Sequence, residues 1–263
     1  MLNFLSFLVI FIFGLIIGSF LNCIIYRLET RGSFLRGRSY CPYCKHFLNW
    51  QDLIPVLSFL ILKGKCRYCQ QKISLQYPLV ELTTGFLFFL VFYYTKYNIP
   101  YTIYALIITC FLIIIFVYDL KHYIIPDRII YPAIFVSGIW YVVYGLIFNR
   151  FLTYEILNTI YAAFGTALFF LFIVLISRGR WMGVGDVKLA FLLGLILGWP
   201  YILVALFLAF FIGAIIGAGL IISGKKRLSS EVPFGPFLVA GTFLAMFLGE
   251  ELFNWYLTLF LLK

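Results

Sequence analysis

Eight runs of residues, at about 2–26, 78–95, 101–118, 129–148, 153–176, 187–203, 204–223 and 236–260, are apolar over a length that crosses or nearly crosses a bilayer. A helix needs roughly 20 mainly apolar residues for that crossing. A chain of 263 residues spent in this way cannot be a soluble globule. Its composition agrees, at 64% hydrophobic and 11% charged, where ordinary domains are about half apolar and about a quarter charged. Disorder, a secreted disulfide scaffold and a plain cytosolic enzyme are excluded. The alternating strand pattern of a membrane barrel is missing. The expected fold is all-α, a polytopic transmembrane helical bundle of about eight helices. The sixth and seventh runs abut at Gly198-Trp199-Pro200-Tyr201. Gly14 with Gly18, Gly194 with Gly198, and Gly213 with Gly217 suit close helix packing. The first run has no basic n-region and no small-residue cleavage site, so it reads as a retained helix and not as a signal peptide.

Charge sets the expected orientation. Of the 20 Lys and Arg residues, nine fall in 27–77, two in 119–128, three in 178–188 and three in 224–235, leaving Lys96, Arg150 and Lys263 for the other side. By the positive-inside rule the four rich segments are cytoplasmic and both termini extracytoplasmic. The formal charge of +10 is therefore mainly a topology signal, with contact to anionic membrane lipids as a secondary role and nucleic acid not expected as a partner. The expected division is a first transmembrane helix at 1–26, a polar insertion at 27–77, and a membrane core at 78–263.

Four of the six cysteines lie in that insertion, as Cys41-Pro-Tyr-Cys44 and Cys66-Arg-Tyr-Cys69. Two C-x2-C pairs 21 residues apart read as a zinc-ribbon-like metal site, because four thiolates close a tetrahedral shell around Zn2+. Two disulfides are the rival reading, and a reducing cytoplasm argues against them. A closed shell makes the zinc structural, and it would fold an insertion too small to build its own core. His46 reads as a surface residue, and Cys23 and Cys110 as small buried ones.

The chain has four aspartates, Asp52, Asp119, Asp127 and Asp186, and carboxylates near membrane depth are functional candidates by default. Asp119 ends the third run, where a negative charge has the wrong sign for the helix dipole; an ion pair with Lys121 or Arg128 is its bland alternative. Asp127 follows Ile125-Pro126 and reads as part of a favourable helix start. Asp186 ends Gly183-Val184-Gly185-Asp186 just before the sixth run, where an N-cap would also explain it. Lys188 follows, and no strand precedes the motif, so a nucleotide loop is excluded. Asp119 and Asp186 are expected at the same membrane face. Two carboxyls within hydrogen-bond range hold one proton between them, and so can supply a base for water and an acid for an amide carbonyl.

These residues resemble the type IV prepilin peptidases, the leader peptidase/N-methyltransferase family of GxGD aspartyl proteases. The likeness runs through Gly18-Ser19-Phe20-Leu21-Asn22 with Tyr26-Arg27-Leu28, and through the cysteine knuckles enclosing Trp50 to Ser58. It continues at Tyr77-Pro78-Leu79-Val80-Glu81-Leu82, at Asp119 with Ile125-Pro126-Asp127, at Gly183 to Leu189, and at Pro233-Phe234-Gly235-Pro236-Phe237. The resemblance implies that Asp119 and Asp186 are the catalytic dyad, with Gly183, Gly185 and Lys188 in the active-site loop. It implies a substrate: the basic leader of a prepilin or pseudopilin, cut after glycine at the cytoplasmic face. It further implies methylation of the new N-terminus from S-adenosylmethionine, with Asp52, Glu81 and Asp127 as candidate substrate or methyl-transfer contacts. A broader intramembrane protease is the alternative within enzymes, and a transporter or membrane scaffold the alternative outside them. The cysteine module argues against the first, and charge-free spans without repeated halves against the second.

Overall fold

A computed structural model of the chain describes residues 2–30, 32, 37–95, 98–148, 154–224 and 232–260. Several cations of the orientation count (Arg31, Arg36, Lys96, Arg150, Lys225, Lys226, Arg227 and Lys263) lie outside the described residues. The described chain is helical, without strands. Its long helices are α1 (Leu2–Glu29), α3 (Gln76–Tyr94), α4 (Ile99–His122), α5 (Asp127–Phe148), α6 (Tyr154–Ser177), α7 (Val184–Leu197), α8 (Tyr201–Ile222) and α9 (Gly235–Phe260), with the short α2 (Leu57–Ile61) inside the insertion. All but α2 and α7 are long and apolar enough to cross a membrane. The eight expected long helices are present, seven of them able to cross, and the protein is a multi-pass membrane protein.

The sixth run differs from its expected bounds. It begins at Val184 and stops at Leu197, because Gly198 takes φ +66 and its N–H closes on the Gly194 carbonyl, and α8 then opens after Pro200. Fourteen residues reach only roughly 21 Å, short of a bilayer. Leu189, Leu192 and Leu193 are all 0% exposed, so α7 is a core helix, enclosed by α5, α6 and α9.

Two compact units divide the chain, residues 1–114 and 115–263. In the first, α1 packs along α3, and glycine is what lets them approach. A Cβ at Gly14 would stand 2.7 Å from the Gly85 Cα, and one at Gly18 would stand 2.7 Å from the Glu81 Cα. In the second, Gly194 lies directly against the Ala163 backbone, joining α7 to α6. The third expected pair is half right. Gly213 meets the Phe237 ring, but Gly217 faces open space, and the tight α8–α9 contact is instead made by Gly241 over Ala205 and Ala209.

Candidate active site

Three segments of the second unit converge on one place. Asp119 sits in the last turn of α4 and is only 4% exposed. The helix closes just beyond it, where Tyr123 adopts φ +58 and donates its N–H to the Asp119 carbonyl at 2.9 Å. The link to α5 buries Ile125. Pro126 then stands one residue ahead of the helix, its carbonyl accepting the N–H groups of Ile129 and Ile130, and Asp127 opens α5. The missing N–H of the proline is harmless there, as it is at the first helical position.

Asp186 is inside α7 and does not cap it from outside. Gly183 is the flanking residue, extended at φ −86 and ψ 160. The Asp186 Oδ2 atom reaches back to accept the Gly183 N–H at 3.1 Å. An acid in the first turn also suits the helix dipole. The third segment is the start of α9, where Gly235 lies directly against the Asp119 carboxylate. A Cβ at Gly235 would stand 2.5 Å from Asp119 Oδ2. Ile125 is the spacer between these strands of chain: its side chain lies against Gly185, where a Cβ would be 3.2 Å away, and against Gly235, where one would be 3.5 Å away.

These three segments line a cleft of about 580 Å³, the last of them through Pro233 and Phe234 just ahead of Gly235. Asp119, Asp186, Asp127, Gly183, Gly185 and Lys188 all face it, so six of the residues singled out from sequence are brought together. Lys188 Nζ donates to Asp127 Oδ1 at 2.6 Å and lies 4.9 Å from the Tyr131 ring centre, tying α7 to the start of α5. Three contributors were given no role from sequence: Gly235, against Asp119, and Ile125 and the Arg180-Trp181 pair, on the cleft wall. The Pro-Phe-Gly-Pro-Phe motif was the available signal for the first, but nothing local says which carboxylate its glycine serves.

The first unit contains the cysteine cluster. The sulfur atoms of Cys41, Cys44, Cys66 and Cys69 all lie within 4.8 Å of one another, with Cys41 and Cys69 at 3.8 Å. Tetrahedral zinc at a Zn–S distance of about 2.3 Å demands sulfurs about 3.8 Å apart, so the donor set and the spacing fit. The two knuckles repeat each other bond for bond. Lys45 N–H meets the Cys41 carbonyl and Cys41 N–H the His46 carbonyl; Gln70 N–H meets the Cys66 carbonyl and Cys66 N–H the Gln71 carbonyl. Lys45 and Gln70 share positive φ at +58 and +59. His46 is exposed, its ring 3.7 Å from that of Tyr68, while Cys23 and Cys110 are only half-buried.

Asp52 and Glu81 also lie in this unit, and both are engaged. Asp52 accepts from Arg67 Nε at 2.7 Å, from the Asn49 N–H at 3.1 Å and from the Tyr68 hydroxyl at 3.2 Å. Desolvation raises its pKa, but the Arg67, Asn49 and Tyr68 hydrogen bonds outweigh that and hold the carboxyl below its usual range. Glu81, 6% exposed, accepts the Val56 N–H at 2.7 Å.

A helical multi-pass fold with three carboxylates on one cleft defines a membrane protein with an acidic site. The chain belongs to the type IV leader peptidase family, and is a membrane peptidase of that family. The family's model matches residues 106–218, and the model of the bacterial peptidase A24 N-terminal domain matches residues 12–95. Relatives named prepilin leader peptidase/N-methyltransferase include those of Aeromonas hydrophila (33% identical, over 99% of this chain and 97% of theirs) and Bacillus subtilis (34%, over 95% and 97%). The Legionella pneumophila protein of that name is 34% identical over 95% of this chain and 94% of its own length. No solved structure matches.

Proposed function

We propose that this chain removes the N-terminal leader of type IV prepilins or prepilin-like proteins, working at the cytoplasmic face of the plasma membrane with Asp119 and Asp186 as its catalytic pair. The observation that carries the reading is that both acids line one cleft of about 580 Å³, although they come from α4 and α7. The pair holds one proton. The ionised carboxylate takes a proton from water as the hydroxyl oxygen bonds to the scissile carbonyl carbon, and the other carboxyl protonates the carbonyl oxygen. The tetrahedral diol then collapses. Its C–N bond breaks as the first acid returns its proton to the leaving nitrogen, and the second recovers one from the diol hydroxyl. The dyad ends with its single proton restored, and no covalent enzyme intermediate forms. The Gly183 amide orients Asp186, and Gly235, having no side chain, leaves room for the Asp119 carboxylate. Lys188 and Asp127 hold α5 and α7 in register beside the pair.

The insertion at 27–77 is read as a structural zinc module held by Cys41, Cys44, Cys66 and Cys69, and the membrane core at 78–263 as the part that bears the site. Zinc supplies folding free energy there and no chemistry, since four sulfurs fill its shell. Methyl transfer from S-adenosylmethionine to the new N-terminus is proposed from the relatives' names. Asp52 and Glu81 already accept hydrogen bonds within the protein, and no step of the transfer is assigned to them.

The test is cleavage of a purified prepilin by the detergent-solubilised protein. Native enzyme should release the leader, and Asp119→Asn and Asp186→Asn should each lose at least about 10³-fold in rate. An Asn variant that cuts at the native rate removes that residue from the pair; folded native protein that cuts no prepilin overturns the substrate.

A further inference from the structure

The segment between the two cysteine knuckles carries a surface that the peptidase reading leaves unused. Leu57, Leu60 and Ile61 of α2 share one helix face and are 57%, 63% and 74% exposed. Phe59 turns the other way, over Gly64, where a Cβ would stand 3.0 Å from its ring. Three large aliphatic side chains in five residues are a patch that proteins rarely leave to water.

The position of α2 accounts for it. Val56, immediately ahead, holds φ +61 and ψ −49, and Leu57 N–H donates to the Pro55 carbonyl at 2.6 Å. That is a positive-φ γ-turn, which a β-branched residue occupies only when its surroundings enforce it. The enforcing group is Glu81, whose Oε2 accepts the Val56 N–H at 2.7 Å. Glu81 stands five residues in from the start of α3, roughly 7.5 Å along its axis. The outer stripe of α3 is already apolar and exposed ahead of that level, with Leu75 at 66% and Leu79 at 59%, and it continues beyond it through Leu82 and Phe86 at 43% and 55%. On a membrane-crossing helix such a stripe faces lipid. The start of α2 is thus pinned at a depth where its neighbour is already in contact with the bilayer.

We propose that α2 lies in the plane of the bilayer surface, with Leu57, Leu60 and Ile61 in the boundary between headgroups and acyl chains, and with Lys63 and Lys65, which follow on the exposed turn, against the phosphates of anionic lipids. The cysteine module is then held down on the membrane at a point between its two knuckles, and Glu81 is the residue that sets its depth.

The experiment uses the full-length enzyme in vesicles. Ile61→Trp adds a fluorophore whose emission is read as the difference from native protein. With phosphatidylcholine brominated near the glycerol end of its chains, most of the added emission should be lost, and aqueous iodide should leave it nearly unchanged. Iodide quenching without bromine quenching would mean that the face meets water, and shelter from both that a second copy or another protein covers it; either result overturns the proposal. Leu60→Trp repeats the reading if Ile61→Trp does not fold. Adding phosphatidylglycerol should deepen the bromine quenching, and the Lys63→Gln, Lys65→Gln pair should abolish that gain. A gain that survives in the double variant overturns the assignment of these lysines.

Discussion

The cysteine insertion and the acid-lined cleft are assembled in opposite ways. Every thiolate of the insertion lies within three residues of another, and each knuckle closes on itself through bonds spanning four or five residues, such as Lys45 N–H to Cys41 and Cys41 N–H to His46. The cleft has no such local frame. Asp119, Asp186 and Gly235 come from the end of one helix and the starts of two others, and their approach depends on space left by missing side chains. A site built locally is robust to its surroundings and depends on its ligand. A site built by convergence depends on ångström-scale packing instead.

The sharpest way to break this contrast is to remove a thiolate. Cys41→Ser or Cys66→Ser should eliminate bound zinc by metal analysis and unfold the insertion, since structural zinc contributes on the order of 10 kcal/mol to such modules. Limited proteolysis should then cut within residues 37–75 while the helices of 115–263 stay resistant. Equal loss of both regions would show that the insertion is no independent module.

Next in size is Gly235→Ala. The new Cβ would meet Asp119 Oδ2 at 2.5 Å, and the carboxylate, at the end of a side chain, can only swing aside. The variant should fold with a near-native melting temperature and lose about 100-fold in kcat, as displacements near 1 Å do. Gly183→Ala is the counterpart: its φ is −86 and its Cβ would have only ordinary contact, 4.0 Å from Asp186, so activity should stay within about threefold of native, well under 1 kcal/mol. Equal losses in the two would remove the claim that missing side chains build the cleft.

The smallest effect concerns the contact that stitches the insertion's middle to its second knuckle. Asp52 has its carboxyl held below the usual 3.8, so its stabilisation is full above that pH and disappears as acid protonates it in the folded protein. Asp52→Asn should cost no more than about 1 kcal/mol at neutral pH, as a partly exposed pair does. Hydrogen exchange at Asn49 and Arg67 should rise in native protein as pH falls below about 3.8, after correction for intrinsic exchange, and show no such step in the variant.

The insertion was legible in the sequence because its ligands are close together, and C-x2-C spacing is itself a geometric statement. The helices were legible because a bilayer accepts few other solutions. The limits of α7 were not, since apolar content does not distinguish a helix bathed in lipid from one enclosed by helices; Gly198 and burial decide that. Asp186 read equally well as a cap, because the same residue type at a helix start serves either purpose. The glycine pairs read the same in all three helices, but Gly217 faces nothing.

By itself the sequence determined that the chain crosses a membrane many times, that four sulfurs form one cluster, and that Asp119 and Asp186 are the acids to examine. Each follows from local chemistry: apolar length, ligand spacing, and the rarity of carboxylates in such a chain. Only the tertiary structure decided that the two acids share a cleft, that Gly235 makes room for one of them, and that Glu81 fixes the turn before α2. Those are meetings between distant segments, settled by which side chains are small enough to let backbones touch, and no spacing along the chain encodes them.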